Sequence, residues 1–198
     1  MQSLIEELLN DNEGYNEARS NQNIIVYAKI GSILMPNLLI IKASIQLGSE
    51  FEMKDVAEVL VNPEQRESWD SSLVESHTLR VFNKNLLTKK YVVKIPIPLF
   101  QDREYVEKQI VFSSDDNIFI YISSVDDLIE PLKTNLTRAR TIISGTKLTQ
   151  KDKNIQLQAI SQMDTKLPFP PTFVINKMVN VLEKFRVDFI NKLKSINS

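Results

Sequence analysis

Residues 168–196, PFPPTFVINKMVNVLEKFRVDFINKLKSI, decide the fold. Apolar side chains recur at Val174, Met178, Val181, Leu182, Phe185, Phe189 and Leu193, with Ile175, Val179 and Ile190 widening the stripe. That spacing predicts one long amphipathic helix. Pro170 and Pro171 end what precedes and pre-set φ for a first helical turn, while Lys192 and Lys194 place positive charge at the negative end of the helix dipole. Asn176, Lys177, Asn180, Glu183, Lys184, Asp188 and Asn191 occupy the other face, so one side is wet and the rest of the chain must cover the other. An ordinary packing helix and the roof of a hollow share this pattern.

The preceding chain supplies strands. Leu4, Ile5, Leu8 and Leu9 behind a Ser3–Glu6 capping box predict a short opening helix, and residues 10–23 read as a polar loop or frayed helix end. Residues 24–30 and 38–47 are rich in strand formers and joined by a turn, which implies an antiparallel pair. The period becomes helical over residues 54–61 and stops at Asn62-Pro63. The polar segment 64–70 that follows carries the only tryptophan, Trp69, read as a plug at the rim of a core. Strand-like runs then fill 74–82, 86–95, 104–112, 118–125, 137–148 and 154–163, a meander with mostly short polar turns. One connection differs: Pro96-Ile97-Pro98-Leu99-Phe100-Gln101-Asp102 combines two prolines with large apolar residues and predicts a protruding loop with an oily tip. The fold class is α+β, a helix-grip-like arrangement in which a curved antiparallel β-sheet wraps around the long C-terminal helix, with an N-terminal helix and short helices after the first strands.

Composition narrows function. With 198 residues, 42% hydrophobic and 25% charged, the chain suits a single domain, residues 24–198, with 1–23 packing on it. A net charge of −1 gives no basic excess for nucleic acid. Absence of cysteine removes disulfides, thiolate nucleophiles and Cys-held metals, and a single histidine, His77, supplies hydrolytic or metal chemistry poorly, so no cofactor is expected. The longest apolar stretch is too short to span a bilayer, and the N-terminus lacks the pattern of a signal peptide. A soluble cytoplasmic monomer, peripheral at membranes, is the expectation.

The order of segments resembles the START lipid-transfer domain, a helix-grip fold, over most of the chain from about Val26 onward. The resemblance lies in Met53-Lys54-Asp55-Val56-Ala57-Glu58-Val59-Leu60 with Asn62-Pro63-Glu64, Arg66 and Trp69-Asp70. It continues in Lys94 to Val106 with the proline loop leading into Arg103, in Ser124-Val125, Arg138-Ala139 and Gly145, and in Asp164 before Leu167-Pro168 and Ile175-Asn176-Lys177. Glu104 stands where the family usually has Asp, which keeps the charge. No acid near Lys89-Lys90-Tyr91 is placed to pair with Arg103, as sterol-type members have, which argues against a sterol site of that kind.

The resemblance implies non-catalytic binding and intermembrane transfer of one lipid, with a phospholipid favoured over a sterol. It puts Arg103 at the cavity as the head-group residue, where a guanidinium fork matches phosphate oxygens; a structural salt bridge to Asp102, Glu104 or Asp164 is the alternative. Tyr91, Tyr105, Tyr121, Gln158 and Gln162 are candidate polar lining, and Phe173, Met178 and Phe185 candidate apolar lining. Ile97, Pro98, Leu99 and Phe100 are the expected gate and membrane contact. Two rivals are an adaptor whose cavity is filled and an aromatase- or cyclase-like enzyme, the latter needing Glu107 or Asp164 inside the cavity.

Overall fold

The computed structural model describes residues 1–31, 33–95, 97–114, 117–125 and 130–196. Pro96, at the start of the oily loop, and Asp115-Asp116, in a strand turn, lie outside them. The chain runs α1 (Gln2–Asn10), β1 (Asn16–Ser20), β2 (Ile24–Gly31), β3 (Leu38–Gly48), α2 (Met53–Val61), α3 (Pro63–Glu67), β4 (Leu73–Asn83), β5 (Leu86–Val93), β6 (Arg103–Ser114), β7 (Asn117–Ser124), β8 (Thr137–Arg138), β9 (Arg140–Lys151), β10 (Asn154–Asp164) and α4 (Pro171–Ile196). The strands form one open sheet in the order β1-β2-β3-β10-β9-β7-β6-β5-β4, with β8 beside β6. Every pairing on that path is antiparallel, while the two-residue β8 runs parallel to β6. This is the α+β architecture expected, a curved antiparallel sheet around a long C-terminal helix.

Four local readings are corrected. Residues 16–20, read as loop or frayed helix, form edge strand β1, whose five exposed side chains carry no burial pattern to reveal it. Segment 63–67, read only as polar, is the short helix α3, with the Asn62 side chain accepting from the backbone of Glu64 and Gln65. The Ser3–Glu6 capping box is not used, because α1 starts one residue before Ser3, and Met1 makes no side-chain cap. The run read as one strand over 137–148 divides into β8 and β9.

Alternation along each strand sends side chains to two faces, and different helices cover them. The inner face gives Ile24, Val26, Ile41, Ala43, Ile45, Leu148, Ile155 and Leu157 to one cluster with α2, Trp69 and α4. The outer face gives Ile40, Phe119 and Ile160 to a second cluster beneath Ile5 and Leu9 of α1. Trp69 seals the inner core, its ring 5.5 Å from Phe185 and 5.0 Å from Phe189. Along α4, Val179, Phe189 and Leu193 are fully buried, whereas Val174, Met178 and Leu182 are only partly so. The wet face of α4 is tied down by Glu183 to Arg19 of β1 and by Arg186 to the carbonyl of Gln46. Among the described residues, no helix is long and apolar enough to cross a membrane.

Gly145 marks the place where α1 meets the sheet most closely. A Cβ there would lie 3.0 Å from Cγ1 and 3.2 Å from Cγ2 of the fully buried Ile5. Gly145→Val is expected to lower the unfolding free energy by about 1–3 kcal/mol by overpacking. In urea melts, the double variant with Ile5→Ala should lose less than the sum of the two single variants.

Candidate functional site

Two features of the inner face stand out, a pocket at one end and a buried polar cluster beyond it. The pocket, about 190 Å³, lies between the start of α4 and the adjoining ends of β3 and β10. Leu39, Ile41, Met163, Phe169, Val174 and Met178 form most of its apolar wall, and Asp164 and Lys166 stand at its rim as an ion pair. Phe169 stacks at 5.0 Å on Phe100 of the oily loop and at 4.8 Å on Phe173 of α4. Leu99 projects fully into solvent at the loop tip, with φ at +71°. Loop, linker and helix therefore meet at one mouth.

Arg103 opens β6 beside that mouth and is buried. Its Nε donates to the Thr165 carbonyl at 2.7 Å, one terminal nitrogen donates to the Lys166 carbonyl at 3.1 Å, and the other to the Gln101 carbonyl. The fork thus fastens the linker that leads into α4. None of the three carboxylates considered for an Arg103 salt bridge takes that place: Glu104 points to the outer face and holds Arg138 at 2.7 Å, Asp164 pairs with Lys166, and Asp102 accepts from the backbone of Ile95 at 2.8 Å. Burial draws the Arg103 guanidinium below its ordinary value.

The polar cluster follows from strand parity. Gln109 donates to the Val61 carbonyl of α2 at 2.8 Å, so the odd-numbered residues of β6 face inward, and their partners on β5 face inward with them. Tyr105 stacks on Tyr91 at 4.9 Å. Glu107, wholly buried, faces its cross-strand partner Lys89 at 3.8 Å. One Glu107 oxygen accepts from Tyr91 at 2.8 Å and from the Thr141 hydroxyl, and the Lys89 ammonium donates to Gln109 at 2.9 Å. The second carboxylate oxygen, Oε2, has no hydrogen-bond partner among the described residues. Loss of solvation lowers the Lys89 ammonium to about 8 against the pull of Glu107, and burial raises both phenols well above their ordinary value.

The predicted residues therefore divide. Met178 lines the pocket, Arg103 and Phe173 border its mouth, Tyr91 and Tyr105 belong to the polar cluster, and Phe185 packs on Trp69 in the closed core. Tyr121, Gln158 and Gln162 do not face this hollow. Tyr121 packs under α1. Gln158 alternates with Leu157 and Ala159 of the inner cluster, and Gln162 binds the turn before β3. Lys89, Gln109 and Thr141 were not anticipated, although Lys89 and Gln109 share the parity of Tyr91 and Tyr105 and could have been found by extending it. Glu107 is buried but is not among the residues that line the pocket, and Asp164 lines its rim in an ion pair with Lys166. Among the described residues, no group of His, Cys, Asp and Glu could hold a metal ion.

Similar architecture occurs in solved structures. Human StAR-related lipid transfer protein 5 matches over 100% of this chain and 100% of its own with TM-score 0.84 and 14% identity. Human STARD10 matches over 96% of this chain and 78% of its own with TM-score 0.79 and 20% identity. A fragment of STAR-related lipid transfer protein from Xanthomonas axonopodis matches over 92% of this chain and 99% of its own, with TM-score 0.69 and 18% identity. No family model and no curated protein sequence matches the chain. The fold is that of START domains, the helix-grip fold.

The buried pair makes a stability test. Glu107→Leu strands the Lys89 charge and is expected to cost about 3–5 kcal/mol, whereas Lys89→Met/Glu107→Leu together should fall within about 1 kcal/mol of the parent or above it. Measured against that double variant, the parent should gain stability as pH rises from about 8 to 10.5, because the unfolded chain keeps the Lys89 proton over that window while the folded chain releases it. Denaturant melts across that window give the slope.

Proposed function

We propose that the protein binds one lipid beneath α4 and carries it between membranes without altering it. The observation that carries this reading is the apolar pocket at the start of α4, whose Phe169 touches Phe100 of the 97–100 loop, taken as the gate, and whose Met163 lies cross-strand from Thr141 of the buried polar cluster. Its volume, about 190 Å³, is below the roughly 300–1,000 Å³ usual for small-molecule sites, so a lipid is admitted by outward movement of the gate and the first turns of α4. In residues 171–178 of α4 no side chain is fully buried, which makes these first turns the less costly part of the helix to move. Phe173, Met178 and the pocket wall then cover the acyl portion.

A phospholipid is the favoured cargo. Arg103 rests on three neutral carbonyls, and a phosphate is a stronger acceptor for the same fork. Tyr91 and Tyr105 lie further along the same inward-facing row. A second reading, a lipid with a hydroxyl head such as a sterol, is favoured by one observation: Glu107 Oε2, which faces Lys89 at 3.8 Å, accepts no hydrogen bond among the described residues and could take one from a hydroxyl. In both readings the protein acts as a soluble, peripheral carrier and as a monomer, with residues 1–23 packing on the domain.

The two readings separate by mutation. Lipid extracted from the purified protein and identified by mass spectrometry should be phospholipid, recovered chemically unchanged. Arg103→Ala should reduce transfer of labelled phospholipid between vesicles about tenfold or more, matching the loss of a charge-assisted bidentate contact of about 1.5–3 kcal/mol. Glu107→Gln should leave phospholipid transfer near the parent rate. The opposite pattern selects the hydroxyl-headed lipid, and a protein that holds and moves no lipid is the filled adaptor.

A further inference from the structure

The turn between β2 and β3 is fixed by a side chain from another strand. Gln162 of β10 is wholly buried, and both ends of its amide are engaged there. Its Oε1 accepts from the backbone N–H groups of Leu34 at 3.2 Å and Met35 at 3.4 Å, and its Nε2 donates to the carbonyls of Met35 at 2.8 Å and Gly31 at 3.3 Å. Ile33 packs inward against the cluster under α1. The two side chains that follow do the reverse, with Leu34 62% and Met35 46% exposed.

Single exposed apolar residues are ordinary, but these stand at a particular place. Asn37 and Leu38, just beyond the turn, line the same pocket as Phe169, which stacks on Phe100 of the gate loop. Leu34 and Met35 thus come just before the pocket wall formed by Asn37 and Leu38, while exposed Leu99 is next to Phe100, which touches Phe169 of the same pocket, and Phe173 is also exposed beside Phe169. A rim of separate apolar tips suits a fluid apolar phase, which closes around each tip. Of the cations at this rim, Lys166 pairs with Asp164 and Lys177 lies over the Phe173 ring at 5.6 Å.

We infer that residues 33–35 form a second membrane-insertion point across the mouth from the 97–100 loop, with Leu34 and Met35 entering the acyl boundary of a bilayer while lipid is exchanged. This rests on the carrier reading above and adds a surface to it. The buried amide of Gln162 fixes the turn beforehand, so insertion has little backbone left to order. Because the attraction is apolar, it should persist in high salt and need no anionic lipid.

The test is co-sedimentation of the full chain with phosphatidylcholine vesicles in high salt, after melts confirm that each variant is folded. Leu34→Asp/Met35→Asp should lower partition about tenfold or more, as should Leu99→Asp. Val81→Asp, at a 64% exposed site near the β4–β5 turn and away from the mouth, should leave it unchanged. If Leu99→Asp weakens binding and the Leu34/Met35 variant does not, the second insertion point is wrong and the carrier reading stands. Equal loss in Val81→Asp, or release of the parent by salt, also overturns the inference. A parent chain that neither sediments with vesicles nor transfers lipid removes both readings.

Discussion

The structure depends on the pairing of β10 with β3. Ser161 lies opposite Ile41 and Leu157 opposite Ile45, so a strand near the end of the chain is inserted beside one near its beginning. This contact unites the β1–β3 group with the β4–β9 meander in one sheet. It also fixes where the chain leaves the sheet, at Asp164, and hence where α4 must start. Such distant pairing is slow to form, because loop closure precedes any gain from the contact. Once made, it presents two apolar faces, and two helices from opposite ends of the chain cover them.

The inner face is not uniformly filled. Its closed half is packed by Trp69, Phe185 and Phe189, and its open half keeps a void beneath the first turns of α4. Between these the sheet carries Lys89, Glu107, Tyr91 and Thr141, a polar network enclosed within an otherwise apolar layer. Desolvating an ion pair is unfavourable unless geometry and further hydrogen bonds repay it, and here one carboxylate oxygen is left without such a bond. This network meets the pocket at one point, where Thr141 lies cross-strand from the lining residue Met163.

Much of this was legible in the sequence. The stripe of α4, the proline pair ahead of it and the turn-separated strands led to the right architecture because each is a local pattern with a period. Residues 16–20 were missed because an exposed edge strand has no buried face to impose alternation. The site was less legible. Glutamine and tyrosine suit either face of a strand, so Tyr121, Gln158 and Gln162 were assigned inward without a marker of parity, and the structure turns them outward. Arg103 stands beside the mouth, and that its fork holds carbonyls of the linker could not be read, since backbone acceptors leave no trace in residue identity.

Trp69 adds a consequence of its own. It is the only indole in the chain, wedged against Phe185 and Phe189 in the second half of α4, with its ring nitrogen lacking a hydrogen-bond partner among the described residues. Its fluorescence therefore reports on one half of the roof alone. Motion confined to residues 171–178 leaves the emission blue and unquenched, whereas displacement of the whole helix wets the ring and shifts it red, so a single optical signal distinguishes a hinged lid from a detached one.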